Sequence, residues 1–217
     1  MVLLSLKINN MTAAALDGTL GDDDIAGTEN DDFFFLDDGG NDHVVGGAGD
    51  DSFYFGAALA AGDSIDGGSG AGDMLILQGQ YLMGLGDVGL AGVETIVLMT
   101  AADTRFGASG SGANSYNLTA DDANIAAGGQ LAIQGSRLGA AEALTFNGLA
   151  ETDGSFRLIG GAANDFLIGG WGADVLVGGL GSDLMNGAGG MTCSSIAASP
   201  NRFRRRPTAS RGSRRAT

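Results

Sequence analysis

An aspartate stands at one fixed place in a short repeated unit, preceded by glycines and followed two residues later by an apolar side chain. From Gly160 to Asn186 the unit occurs three times without a gap, as GGAANDFLI, GGWGADVLV and GGLGSDLMN. Each reads Gly-Gly-x-Gly-x-Asp-x-apolar-x, except that Ala163 takes a glycine's place. The unit also appears near the start, where Gly18 to Ala26 reads GTLGDDDIA and Gly27 to Phe35 reads GTENDDFFF. After one extra residue, Leu36, it continues as DDGGNDHVV (Asp37 to Val45) and GGAGDDSFY (Gly46 to Tyr54). A looser run from Gly62 to Leu77 keeps Asp63 before Ile65 and Asp73 before Leu75, with Asp66 between them. Carboxylates repeated in register with glycine turns suit a hard cation such as calcium, which takes six to eight oxygens from carboxylates and backbone carbonyls in a flexible shell. Glycine suits the carbonyl role because, without a Cβ, it adopts φ > 0 and can aim its oxygens inward. The candidate ligands are Asp23, Asp32, Asp42, Asp51, Asp63, Asp66, Asp73, Asp165, Asp174 and Asp183 for charge. Gly21, Gly40, Gly49, Gly70, Gly172 and Gly181, with Asn30 at the equivalent place, supply the rest of the set.

The elements that must position these residues follow from the period. In nine residues, six are turn-like and three can be extended, so each unit is one turn and one very short strand. Such a unit buries almost nothing alone and has to stack on its neighbours. The spacing therefore predicts an all-β parallel β-roll, a β-solenoid whose interior is lined by Ile25, Phe34, Val44, Phe53, Leu75, Leu167, Leu176 and Met185. Stacking sets rows of carboxylates a strand spacing apart, roughly 4.8 Å, where like charges repel and raise one another's pKa. A divalent cation between the rows removes that repulsion, so metal binding and folding are expected to be one event. Disorder would not keep an apolar residue two places after each aspartate.

These units resemble the glycine- and aspartate-rich nonapeptides of the repeats-in-toxin (hemolysin-type) calcium-binding family, and the resemblance covers about a third of the chain. It implies a parallel β-roll with two nonapeptides per turn and calcium held between the loops of repeats i and i+2. On that analogy Asp23 faces Asp42, Asp32 faces Asp51, and Asp165 faces Asp183. It also implies an extracellular protein, exported by an uncleaved C-terminal signal.

Composition agrees. The 217 residues include 40 glycines, without the Gly-x-y period of collagen. The net charge of −15 hides an asymmetry: all 26 acidic residues lie at or before Asp183, whereas seven of the eleven basic ones lie at or after Arg202. A body this acidic repels phosphate, which argues against nucleic acid as a partner and makes calcium the natural counter-ion. No segment has the eighteen or so apolar residues needed to span a membrane. The opening MVLLSLKI is too short for a secretory leader and reads as a strand covering the first rung. A single cysteine, Cys193, excludes an internal disulfide framework.

The expected organisation is a capping strand in 1–17, a first calcium-binding block in 18–77, a β-rich spacer in 78–156, a second block in 157–190 and a basic disordered tail in 191–217. In the spacer, short apolar runs such as Glu94 to Leu98, Tyr116 to Thr119 and Leu144 to Phe146 are separated by Gly, Asn, Asp and Ser. They predict wider solenoid rungs or a small β-sandwich, with a helical turn over Ala120 to Ala127 capped by Asp121 and Asp122. The tail has seven arginines, both prolines and no acid. It reads either as a basic arm or as a shifted reading frame. A family-like ending, Asp-Asp-Val-Phe-Val-Tyr-Arg-Ser, encoded GAT GAC GTG TTC GTC TAT CGC AGC and read one nucleotide late, gives Met-Thr-Cys-Ser-Ser-Ile-Ala-Ala, the residues from Met191 to Ala198. A frame shift of this kind also removes the loop that would face Asp174 and the export signal.

Several constellations carry no chemistry. His43 is the only histidine, which excludes a His-Glu-x-x-His zinc site, and there is no Gly-x-Ser-x-Gly elbow for a serine nucleophile. Gly84 to Gly89 matches Gly-x-Gly-x-x-Gly, but no βαβ unit surrounds it. Phe33 to Phe35 and Trp171 read as rung filling. The expectation is a secreted, non-enzymatic bacterial protein that binds calcium and folds on doing so. The alternatives are a structural or adhesive surface protein, or an accessory module of a secreted enzyme.

Overall fold

The computed structural model describes residues 15–106 and 112–190, together with the backbone of two short strands, Thr192–Cys193 and Arg202–Phe203. The expected capping strand MVLLSLKI lies outside the described residues. The chain is an all-β solenoid in which every strand pairing is parallel. One wall is a nine-stranded sheet of Ala15–Asp17, Phe33–Phe35, Ser52–Gly56, Met74–Leu77, Thr95–Leu98, Gln130–Gln134, Ser155–Ile159, Val175–Val177 and Thr192–Cys193. The opposite wall is in two parts. Asp24–Ala26, His43–Ala48, Ser64–Ser69 and Gly89–Ala91 form a four-stranded sheet, and Gln80–Gly84, Ser115–Thr119, Leu144–Asn147, Phe166–Ile168, Leu184–Asn186 and Arg202–Phe203 form a six-stranded one.

Register explains why the repeat specifies this coil. Leu16 lies beside Phe34, and Leu158 beside Leu176, so one turn takes eighteen residues, or two nonapeptides; later turns of the first block lengthen to nineteen (Phe34 to Phe53) and twenty-two (Phe53 to Leu75). Because side chains alternate along a strand, the middle residue of each three-residue strand points inward. Leu16, Phe34, Phe53, Leu75, Ile96, Ile133, Leu158 and Leu176 thereby form one unbroken row, all buried. Ile25, Val44, Ile65 and Leu90 face it from the four-stranded sheet, and Leu167 and Met185 do so from the six-stranded one. All eight residues expected to line the interior are buried.

The spacer continues the solenoid with wider rungs rather than forming a sandwich. Thr95 pairs with Ala132, 37 residues on, and Ser115 pairs with Gln80, 35 residues back. The extra chain in these turns holds a 3-10 turn over Asp122–Asn124, capped by the Asp121 side chain. It also contributes Tyr81 and Tyr116, whose rings stack at 6.0 Å. Phe34 fills the interior, whereas Phe33 and Phe35 pack outside the long sheet with Tyr54 and Phe106. Trp171 is 52 % exposed and is not rung filling. At the C-terminal end, Thr192–Cys193 and Arg202–Phe203 pair in parallel register with Val175–Val177 and Leu184–Asn186. No helix among the described residues is long and apolar enough to cross a membrane.

Candidate metal centre

The residue two places before each inward-facing side chain lies where the strand leaves its turn, so these residues form a column along each edge of the roll. On the edge of the long sheet the column runs Asp32, Asp51, Asp73 and Glu94, then Leu131 and Phe156, then Asp174. On the opposite edge it runs Asp23, Asp42 and Asp63 in the first block and ends as Tyr116, Leu144, Asp165 and Asp183. Asp32, Asp42, Asp51, Asp63, Asp73, Asp165, Asp174 and Asp183 are all buried, and Asp23 is half-buried at the first turn.

Adjacent members are tied by one repeated hydrogen bond. The backbone N–H of each aspartate donates to Oδ1 of the aspartate one turn on: Asp23 to Asp42 (3.1 Å), Asp32 to Asp51 (2.7 Å), Asp42 to Asp63 (2.8 Å), Asp51 to Asp73 (2.7 Å) and Asp165 to Asp183 (3.0 Å). The three pairs expected to face each other across repeats i and i+2 are among these. Asp73 donates in the same way to Glu94 Oε2 (2.9 Å), which extends the ladder by a residue the repeat pattern does not contain. Asp165 and Asp174 accept from Leu144 and Phe156 (2.8 Å each), which occupy the column where the spacer meets the second block.

The second carboxylate oxygens divide into two groups. Those of Asp23, Asp63 and Asp165 accept from an N–H of their own turn, from Thr19 (2.6 Å), Ala60 (2.8 Å) and Gly161 (2.7 Å) respectively. Asp51 Oδ2, Asp73 Oδ2 and Asp174 Oδ2 are buried and have no hydrogen-bond partner. Acceptors crowd these oxygens. A Cβ built on Gly46 would overlap both Asp51 Oδ2 and the carbonyl oxygen of Gly67, and one built on Gly67 would overlap Gly92 O and lie 2.7 Å from Asp73 Oδ2. In the second block, a Cβ on Gly160 would overlap Asp165 Oδ2 and Gly178 O. At Gly46 and Gly67 a carboxylate oxygen and a carbonyl oxygen of the adjacent turn thus approach the same glycine, and those carboxylate oxygens, Asp51 Oδ2 and Asp73 Oδ2, have no donor. Among the described residues no lysine or arginine pairs with Asp51, Asp73 or Asp174; the ion pair present is Arg105–Asp103 (2.8 Å), on the outside.

Burial without a counter-charge raises the carboxyl pKa values. Asp51 is pushed up to about 7 by desolvation and by the charges of Asp73, Asp32 and Asp31. Asp42 and Asp165 are pushed up to about 6, in each case mainly by burial, then by neighbouring aspartates. Asp73 and Asp174 move in the same direction for the same reasons, with Glu151 the charge acting on Asp174. Buried oxygens that repel one another and lack donors fit a hard divalent cation, which takes oxygen ligands of both kinds.

The remaining candidate ligands fall into different places. Gly40, Gly49 and Gly181 have positive φ (128°, 106° and 104°), as the turn argument requires. Gly70 and Gly172 do not, and are required for proximity instead, since a Cβ there would overlap Gly49 O and Gly154 O in the adjacent turn. Gly21 and Asn30 are exposed in their turns. Asp66 is exposed, accepts from Gly68 N–H (3.0 Å) and stands outside both columns. The reading of the residues missed the first glycine of each unit, whose carbonyl meets the carboxylates, although Gly46, Gly160 and Gly178 carried that signal in the repeat itself. It also missed Glu94 and Glu151, which no repeat marks.

A family model described as RTX calcium-binding nonapeptide repeat (4 copies) matches the chain at residues 17–51, 34–58 and 157–185. These are RTX calcium-binding nonapeptide repeats. The matched segments hold Asp23, Asp32, Asp42 and Asp51 of the first carboxylate run and Asp165, Asp174 and Asp183 of the second, while Asp63, Asp73 and Glu94 lie beyond them; RTX repeats on a parallel solenoid imply a calcium-binding β-roll. No curated protein and no solved structure matches the chain. The RTX segments leave the spacer unmatched, and it is there that Tyr116, Leu131, Leu144 and Phe156 take the column positions that carboxylates hold in the repeats.

Proposed function

We propose that this chain is a secreted, non-enzymatic bacterial protein whose two RTX blocks fold when they bind calcium outside the cell. The observation that carries the reading is the set of buried carboxylate oxygens on Asp51, Asp73 and Asp174 that no protein group satisfies. An uncompensated buried charge is expensive. In the metal-free chain these oxygens must take up protons or leave the roll open. Calcium supplies the positive charge that lets neighbouring turns stack. Asp32, Asp42, Asp51, Asp63, Asp73, Asp165, Asp174 and Asp183 would hold it, with carbonyls of the glycine turns completing the shell. Phosphate-bearing partners are disfavoured by the acidic body, and an extracellular setting supplies the calcium concentration that modules of this kind require.

Far-UV circular dichroism of the whole chain, titrated with calcium and separately with magnesium, tests this. The expected result is a gain of β signal at calcium of about 10⁻⁴ to 10⁻³ M, with magnesium inert because it demands a smaller octahedral shell. A spectrum indifferent to calcium would leave a plain structural solenoid.

A further inference from the structure

We propose that Asp122, Glu151 and Asp153 form an additional calcium site in the spacer, outside every nonapeptide. One carboxylate oxygen from each of the three lies within 4.8 Å of the others. Two oxygens bound to one calcium at about 2.4 Å can be at most about 4.8 Å apart, so each pair is close enough to share one ion. Asp122 opens the 3-10 turn over Asp122–Asn124, and Glu151 and Asp153 belong to the turn before Ser155–Ile159. Thr152, between those two, donates from its backbone N–H (2.8 Å) and its hydroxyl (2.7 Å) to Asp122 Oδ1 and so clasps the two turns together.

Glu151 is what distinguishes this group from an ordinary acidic surface. It is fully buried. Its Oε1 accepts from the N–H groups of Asp153 (3.1 Å) and Gly154 (2.6 Å), whereas Oε2, also buried, has no hydrogen-bond partner. No lysine or arginine among the described residues pairs with Glu151, Asp122 or Asp153. Compare Glu142 in the same spacer, which is equally buried but accepts from Ala101, Asn114 and Gly139 N–H groups and the Thr100 hydroxyl. The protein satisfies Glu142 itself and leaves Glu151 to an external cation. The donors are all oxygen, which selects a hard ion, and Asp122 and Asp153 are exposed, which leaves room for water ligands of calcium. The site also abuts the second repeat block: Trp171 N–H donates to Glu151 O (3.0 Å), and the Glu151 charge acts on the Asp174 carboxyl. A cation here would fasten the spacer to the first turn of that block.

Trp171 is the only tryptophan in the chain, and its backbone bond to Glu151 makes it a local antenna for bound terbium. Terbium added to the full-length protein should give tryptophan-sensitised emission that calcium displaces. The double variant Asp122→Asn, Asp153→Asn should lose one equivalent of bound calcium by equilibrium dialysis and part of that emission, the remainder coming from the repeat site at Asp174, while keeping the calcium-induced change in circular dichroism from the repeats. Both residues are exposed, and asparagine keeps the acceptor for Thr152, so folding should survive. Glu151→Gln, which keeps the side-chain shape, should lose the same equivalent. Unchanged stoichiometry and emission in the double variant would overturn the site even if the repeats bind calcium. Failure of the repeats would instead appear as a dichroism spectrum that does not respond.

Discussion

At the scale of single residues, the aspartates of one column are not equivalent. Asp63 has both oxygens satisfied by backbone N–H groups, whereas Asp51 has one oxygen satisfied and the other set against the Gly67 carbonyl. Asp51→Asn is therefore expected to act in opposite directions in the two states. Without calcium, the new amide can donate toward that carbonyl and the charge is gone, so the variant should be more stable by about 0.5–1.5 kcal/mol, one net hydrogen bond. With calcium, loss of a charged ligand should weaken binding by about tenfold or more, at least 1.4 kcal/mol. Thermal unfolding with and without a chelator reads both effects, and an Asp51→Asn protein that is destabilised equally in the two conditions would make Asp51 a mere strut.

At the scale of elements, the spacer replaces the carboxylate column with side chains that need no metal. Tyr116, Leu131, Leu144 and Phe156 are buried where aspartates stand elsewhere, and of the two carboxylates buried off the column in this region, Glu142, unlike Glu151, is fully supplied with donors. Burial alone would raise its pKa, but the hydrogen bonds from Ala101, Thr100, Gly139 and Asn114 outweigh it and hold the carboxyl below its usual range. Glu142→Ala would orphan at least the buried amides of Ala101 and Asn114, at roughly 1–3 kcal/mol each. The expected loss is about 2–6 kcal/mol, the same with calcium as without it, by urea unfolding. A loss seen only with calcium would place Glu142 among the ligands. This contrast marks how far the residues could be read in order. The coil, its period and its interior row were legible, because a nine-residue unit leaves three residues for a strand and fixes which one points inward. The roles of Glu94 and Glu151 were not, because they depend on pairings such as Thr95 with Ala132 that follow no constant spacing. The apolar column placed Phe34 inside; the outward packing of Phe33 and Phe35, read as rung filling, follows from strand alternation, which the run of three phenylalanines hides.

At the scale of the whole molecule, the two edge columns make stability depend on pH and calcium together. In the metal-free roll Asp42 and Asp165 titrate near 6 and Asp51 near 7, against 3.8 for the free side chain. Between about pH 4 and 7 the folded chain thus binds more protons than the unfolded one, so its stability falls as pH rises through this window. Below pH 4 both states are protonated and the charges cost nothing; above 7 the folded roll bears the full repulsion. Calcium reverses the dependence, because it competes with those same protons and meets ionised ligands only as they leave. The increase in melting temperature produced by saturating calcium should be small at pH 5 and large at pH 8, with protons released on binding between them. The metal-free melting temperature should move the other way across the same range. Equal calcium shifts at pH 5 and pH 8 would mean that the buried carboxylates are not where the metal acts, and the coupling between the columns and the fold would have to be abandoned.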